Sequence, residues 1–317
     1  MLQISDILDR RRESLDLVLV AGEGGLSRKI TSADISSPGL ALAGFTDRFP
    51  RHRLQVIGET EIMYLRSLPA GERSRILGAF LNFDVPAVFI TKGMDPPEEL
   101  VELANERSIP VLRSTLKTGE FYRRIKPLLE EEFAPTTAMH GSLADVYGVG
   151  LLFVGSSGIG KSECVLDLVE RGHRLVADDV VHVRRRGVDV LIGQAHEHQQ
   201  HHMEIRGIGI VDVRALFGIR AVRQQKRIEV VVQLEHWSES ASYDRTGLDR
   251  ATTEILGVRL PRVIIPLNPG KNITVISEVV AMDHLLRYAG IDSAQIFDHN
   301  LRQLMQPVRD YLEEDNE

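Results

Sequence analysis

Over residues 1–133, short apolar runs alternate with stretches in which apolar side chains return every three or four positions. LDLVLVAG (15–22), RLQVIG (53–58), AVFITKG (87–93) and IPVLRS (109–114) are short, apolar and bounded by turn residues, as strands are. Between them, ERSRILGAFLNF (72–83) and PPEELVELANERS (96–108) carry helical spacing. This alternation predicts an α/β domain with parallel strands. KTGEFYRRIKPLLEEEFAPTT (117–137) reads as one more helix, ending in an acidic run and a Pro-Thr-Thr break. The break places a domain boundary near 133–137 and divides the chain into 1–133 and 134–317.

The second half has a different texture. HRLVADDVVHVRRRGVDVLIG (173–193) and QKRIEVVVQLEHW (225–237) are long β-rich runs with hairpin-like turns, and a helical tail starts near 280. The pattern predicts a mixed sheet with few helices. The chain is thus an α/β protein, with an N-terminal α/β domain and a C-terminal mixed-sheet domain.

The 317 residues are 43% hydrophobic and 26% charged, which is enough apolar material for two cores. A net charge of −7 gives no electrostatic footprint for nucleic acid, and the basic run at 184–186 is short. The N-terminus lacks the apolar core of a secretory signal. Charge breaks every apolar run well before about 20 residues, so no membrane span is expected. The single cysteine, Cys164, excludes an internal disulfide framework and suits a reducing, cytoplasmic setting.

Gly155-Ser156-Ser157-Gly158-Ile159-Gly160-Lys161-Ser162 matches G-x-x-x-x-G-K-[ST]. An apolar strand run (GVGLLFV) precedes it and a helical pattern (SECVLDLVERG) follows, the context a phosphate-binding loop requires. Glycines let backbone N–H groups close around phosphate oxygens at a helix N-terminus. Lys161 adds charge for the β- and γ-phosphates, and the Ser162 hydroxyl is a candidate Mg²⁺ ligand. In the helix, Val165, Leu168 and Val169 form the inward stripe and Gly172 the stop.

LVADDVV places Asp178 and Asp179 in an apolar stretch 17 positions after Lys161. In a regular strand only one of the two can face the phosphates unless the chain bends there. Carboxylates in such a run are costly unless a cation or hydrogen-bond donors satisfy them. A third acid, Glu204, lies in MEIRGIGIVDV with Arg206 on the same face of an extended run. Ser162 plus one or two carboxylates completes a Mg²⁺ set, although standing alone the Glu204 segment reads more readily as a solvated strand face. His140, just upstream of the P-loop strand, is within reach of the aspartates, yet a lone histidine is more often structural than catalytic. The cluster at His196, His198, His201 and His202 matches no standard zinc spacing and has no nearby cysteine.

HGSLADVYGVG, GSSGIGKSE, LVADDVV, MEIRGIGIVDV and IPLNPGKN, in this order and spacing, resemble the bacterial HPr kinase/phosphorylase family across most of residues 135–280. The resemblance implies a C-terminal P-loop kinase domain like that of phosphoenolpyruvate carboxykinase, and a homohexamer built on it. It implies phosphorylation of a serine of the phosphocarrier protein HPr by ATP or pyrophosphate, and phosphorolysis of phosphoserine-HPr by inorganic phosphate. It carries nucleotide binding to 155–162, catalysis to His140, Lys161, Asp179 and Arg245 with Asp178 in support, and Mg²⁺ to Ser162 and Glu204. Met203, Glu204, Ile205, Arg206, Gly207, Ile208, Gly209, Ile210, Val211 and Asp212 match a stretch needed for both reactions. Pro266, Leu267, Asn268, Pro269, Gly270 and Lys271 match one needed mainly for dephosphorylation. A kinase of the same fold with another substrate, or a nucleotide-gated binding module, are the competing readings.

Overall fold

The computed structural model describes residues 2–196, 199–238, 248, 251–268 and 270–314, with side chains through residue 305. The chain divides into two compact units, residues 1–134 and 135–317.

The first unit contains α1 (Ile4–Leu15), β1 (Leu17–Ala21), β2 (Ile35–Ser36), α2 (Gly39–Leu42), β3 (Leu54–Ile57), α3 (Glu59–Ser67), α4 (Ala70–Leu81), β4 (Val88–Ile90), α5 (Glu98–Glu106), β5 (Val111–Ser114) and α6 (Thr118–Glu132). Its sheet has the order β1-β5-β4-β3-β2. Both faces are covered, so the strands are mostly apolar, with Gln55 in β3 and Arg113 in β5 among the interruptions. Val88 and Ile90 of β4 face the core of α4 and α5, whereas Phe89 faces Ile4, Phe121 and Ile125. The expectation of parallel strands holds for β2 to β5 and fails for β1, which pairs antiparallel to β5 at the sheet edge. An apolar run shows that a strand is buried but not its direction, and no crossover helix fixes the direction of an edge strand.

The second unit contains β6 (Thr136–His140), β7 (Ser142–Val146), β8 (Val149–Val154), α7 (Lys161–Glu170), β9 (Arg174–Ala177), β10 (Val180–Arg186), β11 (Val190–Gln194), β12 (His202–Ile205), β13 (Gly209–Asp212), α8 (Val213–Phe217), β14 (Gln225–Arg227), β15 (Val230–His236), β16 (Thr252–Ile255), β17 (Val258–Leu267), α9 (Ile273–Tyr288) and α10 (Ser293–Glu314). A mixed six-stranded sheet, β16-β17-β15-β8-β7-β9, forms its centre. Leu151 and Phe153 of β8 point to one core with α7 and α9, and Leu152 points to the other, against the antiparallel sheet β14-β11-β10-β6. Helices therefore cover one face of the central sheet and a second sheet covers the other.

Two element boundaries differ from the sequence reading. The final Thr-Thr of 117–137 belongs to β6, because Phe133 ends α6 and the chain enters the antiparallel sheet. The C-terminal helical region begins at Ile273 and not near 280, since the Asn272 side chain accepts from Val275 N and caps α9.

Strands β8, β15 and β17 are mutually parallel, and β9, antiparallel to β7, shares their direction. Their carboxyl ends therefore lie along one edge, the edge at which open α/β sheets bind ligands.

Candidate active site

The loop after β8 is at that edge. Gly155 has φ 148°, and a Cβ there would stand 2.6 Å from the Leu234 carbonyl oxygen, so the crossing of β15 admits only glycine. Ile159 turns inward at 7% exposure and anchors the loop to the core beneath. The following helix buries Cys164, Val165, Leu168 and Val169. Lys161 is itself buried, with Nζ donating to the carbonyls of Gly155 (3.1 Å) and Ser156 (3.0 Å). A phosphate oxygen, which carries charge of its own, is a stronger acceptor for Nζ than these carbonyls.

Asp178 and Asp179 occupy the step by which the chain leaves the six-stranded sheet after β9 and enters the four-stranded sheet as β10. Val180 N donates to Asp178 O (2.8 Å) around Asp179, whose φ is 65°. A left-handed non-glycine residue in a three-residue closure is a costly conformation, of the kind that persists where function needs it. The turn removes the alternation of a regular strand, and both carboxylates face the P-loop in one cleft.

Their environments differ. Asp178 is 7% exposed, and its Oδ1 accepts from Ser142 Oγ (2.5 Å) and Ser162 Oγ (3.0 Å). Its Oδ2 is buried with no hydrogen-bond partner among the described residues. Burial pushes its carboxyl above the usual range, opposed by the two hydroxyls. The Asp179 carboxylate is 56% exposed, and its Oδ1 lies 3.2 Å from Nδ1 of His140. The register Val180↔His140 between β10 and β6 sets that pairing.

The hairpin β12–β13 supplies the third wall. Met203 and Ile205 are buried, which turns Glu204 and Arg206 outward into the cleft. The Arg206 guanidinium lies against the loop, with Nη2 2.4 Å from where a Cβ on Gly158 would sit. Gly158, at φ 75°, is thus required by both conformation and space.

The cleft, of about 120 Å³, is lined by His140, Ser157, Gly158, Gly160, Lys161, Ser162, Glu163, Asp178, Asp179, Glu204 and Arg206. It is well below the volume of a whole-ligand pocket and suits the phosphate end of a ligand. Of the segment 203–212, only Glu204 and Arg206 reach it. Ile208 and Ile210 point to solvent, and Asp212 accepts from Ala215 N (3.0 Å) as the cap of α8. Pro266 and Leu267 end β17 on the same edge, two strands from β8, and Lys271 Nζ donates to Pro266 O (3.1 Å). At interstrand spacing that is roughly 10 Å from the loop. Arg245, Pro269 and His198 lie outside the described residues.

Sequence reasoning missed Ser142 and Glu163. Ser142 follows His140 by two residues in HGSLADV, so a hydroxyl at the first position of a buried strand was the available signal. Glu163 had none.

A glycine-framed phosphate cradle facing a carboxylate turn defines a P-loop phosphoryl-transfer enzyme. Residues 131–301 match the family described as HPr Serine kinase C-terminal domain, and residues 2–129 match HPr Serine kinase N terminus. The chain belongs to the HPr kinase/phosphorylase family and is a kinase/phosphorylase. An HPr kinase/phosphorylase of Bacillus licheniformis is 44% identical over 301 residues, covering 95% of this chain and 96% of that protein. One from Chloroherpeton thalassium is 49% identical over 276 residues, covering 87% and 81%. The solved Hpr(Ser) kinase/phosphatase from Coxiella burnetii is 31% identical, covers 48% of this chain and 99% of its own, and superposes with a TM-score of 0.45.

Proposed function

We propose that this chain phosphorylates a serine of HPr with ATP or pyrophosphate, and reverses the step by phosphorolysis. In the forward direction the serine oxygen bonds to the terminal phosphorus, the bridging P–O bond breaks, and ADP or inorganic phosphate leaves. In reverse, an oxygen of inorganic phosphate bonds to the phosphoserine phosphorus, the serine oxygen leaves with a proton, and pyrophosphate forms. The names of the relatives support HPr as substrate. The observation that carries the reading is the turn at Asp178–Asp179, which brings two carboxylates with different environments to one phosphate loop.

In this reading Asp179 accepts the serine proton in the kinase direction and returns it in phosphorolysis, as microscopic reversibility demands. Its exposure and its contact with His140 support that role over Asp178, which is buried and held by two hydroxyls. Lys161 leaves its loop carbonyls to neutralise phosphate oxygens, and Arg245 serves as a second cation, on the family resemblance alone.

The residues present fit a Mg²⁺ ion. Asp178 Oδ2 is a buried acceptor with no hydrogen-bond partner among the described residues, and its sister oxygen already orients the Ser162 hydroxyl. Ser162 and Glu204 would hold the ion, with Asp178 ordering Ser162. Few protein ligands are needed, because phosphate oxygens complete a magnesium shell. Such an ion supplies charge neutralisation at the phosphates.

Segment 266–271 is proposed to serve mainly phosphorolysis, supported by the place of Pro266 and Leu267 on the phosphate edge. The proposed assembly is a homohexamer in the cytoplasm, and exposed apolar side chains on α9 and α10, among them Met282, Leu286, Phe297 and Leu304, support association. No helix among the described residues is long and apolar enough to cross a membrane.

The test is to incubate phosphoserine-HPr with inorganic phosphate and look for pyrophosphate. Pyrophosphate in step with loss of phosphoserine is expected; release of inorganic phosphate without it would make the reverse reaction a hydrolysis. Phosphorylation of HPr with ATP tests the forward half.

A further inference from the structure

Glu278, in α9, is 6% exposed and far from solvent for a carboxylate. It lies outside the cleft and takes no part in the chemistry above. Its oxygens accept from Arg171 Nε (2.9 Å) and Nη2 (2.7 Å), and His173 Nε2 lies 3.0 Å from Oε1. Arg171 and His173 both belong to the turn that ends α7, where Gly172 takes φ 96° and His173 N reaches back to Leu168 O. The Tyr147 hydroxyl, in the turn that starts β8, is 3.5 Å from the same carboxylate. One side chain thus joins α9 to both far ends of the strand–loop–helix unit that carries the phosphate loop. A second polar tie, Thr274 Oγ1 to Asp167 Oδ2 (3.3 Å), links the first turn of α9 to the middle of α7.

The start of α9 is also the end of segment 266–271, since Asn272 caps the helix directly after Lys271. The helix leaving the phosphate loop and the helix leaving that segment are therefore fixed to each other by ionic and hydroxyl bonds in addition to apolar packing. Apolar contact tolerates sliding, whereas a bidentate arginine–carboxylate pair has one good geometry. We propose that Glu278 is a positioning residue, which through Arg171 and His173 sets the distance between the phosphate loop and segment 266–271. The phosphorolysis direction depends on this distance more than the kinase direction does. The inference rests on the assignment of 266–271 to phosphorolysis.

The test uses the full-length chain carrying Glu278→Gln, which keeps the shape and removes the charge. Phosphorolysis, as kcat/KM for inorganic phosphate, is expected to fall on the order of three- to tenfold, with ATP-dependent phosphorylation of HPr within about twofold of wild type. Amide hydrogen exchange at residues 271–275 should rise, and Arg171→Lys should show a smaller effect of the same kind. Equal loss of the two activities, or unchanged exchange at 271–275, overturns the proposal. Asn268→Ala, within the segment itself, separates the two assignments. Selective loss of phosphorolysis in Asn268→Ala without it in Glu278→Gln overturns only the positioning role. Equal loss of both activities in Asn268→Ala overturns the reading of the segment and the inference built on it.

Discussion

Ser162 Oγ donates to Asp178 Oδ1 across 3.0 Å, tying the first turn of the P-loop helix to the step where the chain changes sheets. Ser142 Oγ meets the same oxygen from the neighbouring strand. The phosphate loop and the carboxylate turn are thereby bonded to each other, although Ser162 and Asp178 are 16 residues apart. The next residue is exposed beside a histidine. Asp178 is thus a buried carboxyl bonded to two hydroxyls, and the adjacent Asp179, open beside His140, is the residue proposed to exchange the serine proton.

Asp179→Asn is expected to lower both phosphorylation and phosphorolysis by about 10²- to 10⁴-fold, the usual worth of a positioned base, with ATP affinity nearly unchanged. The carboxylate touches neither the loop amides nor Lys161 among the described residues, so its loss leaves the phosphate cradle intact. Rapid-quench turnover and equilibrium nucleotide binding measure the two parts. Retained kinase turnover would move the proton-transfer role to Asp178.

Gly158→Ala should weaken nucleotide binding with little loss of fold. The left-handed backbone costs a Cβ about 1–2 kcal/mol, and the methyl would collide with the Arg206 guanidinium. Arg206 is the flexible partner and would be driven away from the loop. Gly160→Ala is the comparison, because a Cβ there meets no protein atom within 4 Å while the backbone is also left-handed, at φ 100°. A larger rise in KM for ATP in Gly158→Ala than in Gly160→Ala is the expected result. Equal rises would mean that the Arg206 contact is immaterial.

The Arg171 guanidinium holds the Glu278 carboxyl below its ordinary value, with His173 adding and burial opposing. A carboxylate depressed in the folded state stabilises above its unfolded pKa, about 4.3, and loses that contribution as pH falls through the folded pKa. The melting temperature of Glu278→Gln should therefore lie below wild type near pH 7, and the gap should close as pH falls below about 4. Thermal melts of both proteins across this range measure it. A gap that stays constant with pH would show that the cost of the substitution is packing and not charge.

How much of this was legible depends on whether the signal was local. The phosphate loop was, because a glycine pattern, its apolar strand and its helix are contiguous and each needs the others. The strand-like alternation that buries Met203 and Ile205 also showed that Glu204 and Arg206 share a face. The direction of β1 was not legible, since burial pattern is blind to polarity. Nor was the turn at Asp179: periodicity assumes a continuing strand, and the bend follows from two sheets diverging at that point. The partners of Glu278 were equally invisible, because Arg171 and His173 lie more than 100 positions away and only the packing of α7 on α9 unites them.

Asp178→Asn makes the sharpest separation between stability and function. In the free protein the side chain is a buried carboxyl with one oxygen lacking a hydrogen-bond partner among the described residues, and burial is the main reason its pKa lies above the usual range. The amide keeps an acceptor for Ser142 and Ser162 while removing the charge, so one desolvation penalty disappears. A gain of about 1 kcal/mol, seen as a melting temperature higher by roughly 2–4 °C in a domain of this size, is expected without nucleotide or metal. With Mg²⁺ and nucleotide the order should reverse, because wild type gains ligand-linked stability that the variant lacks. Melts of both proteins with and without saturating Mg-nucleotide decide it. A variant less stable than wild type in both conditions would mean that Asp178 is a structural hydrogen-bond hub and that its charge gives no support to a cation held by Ser162 and Glu204.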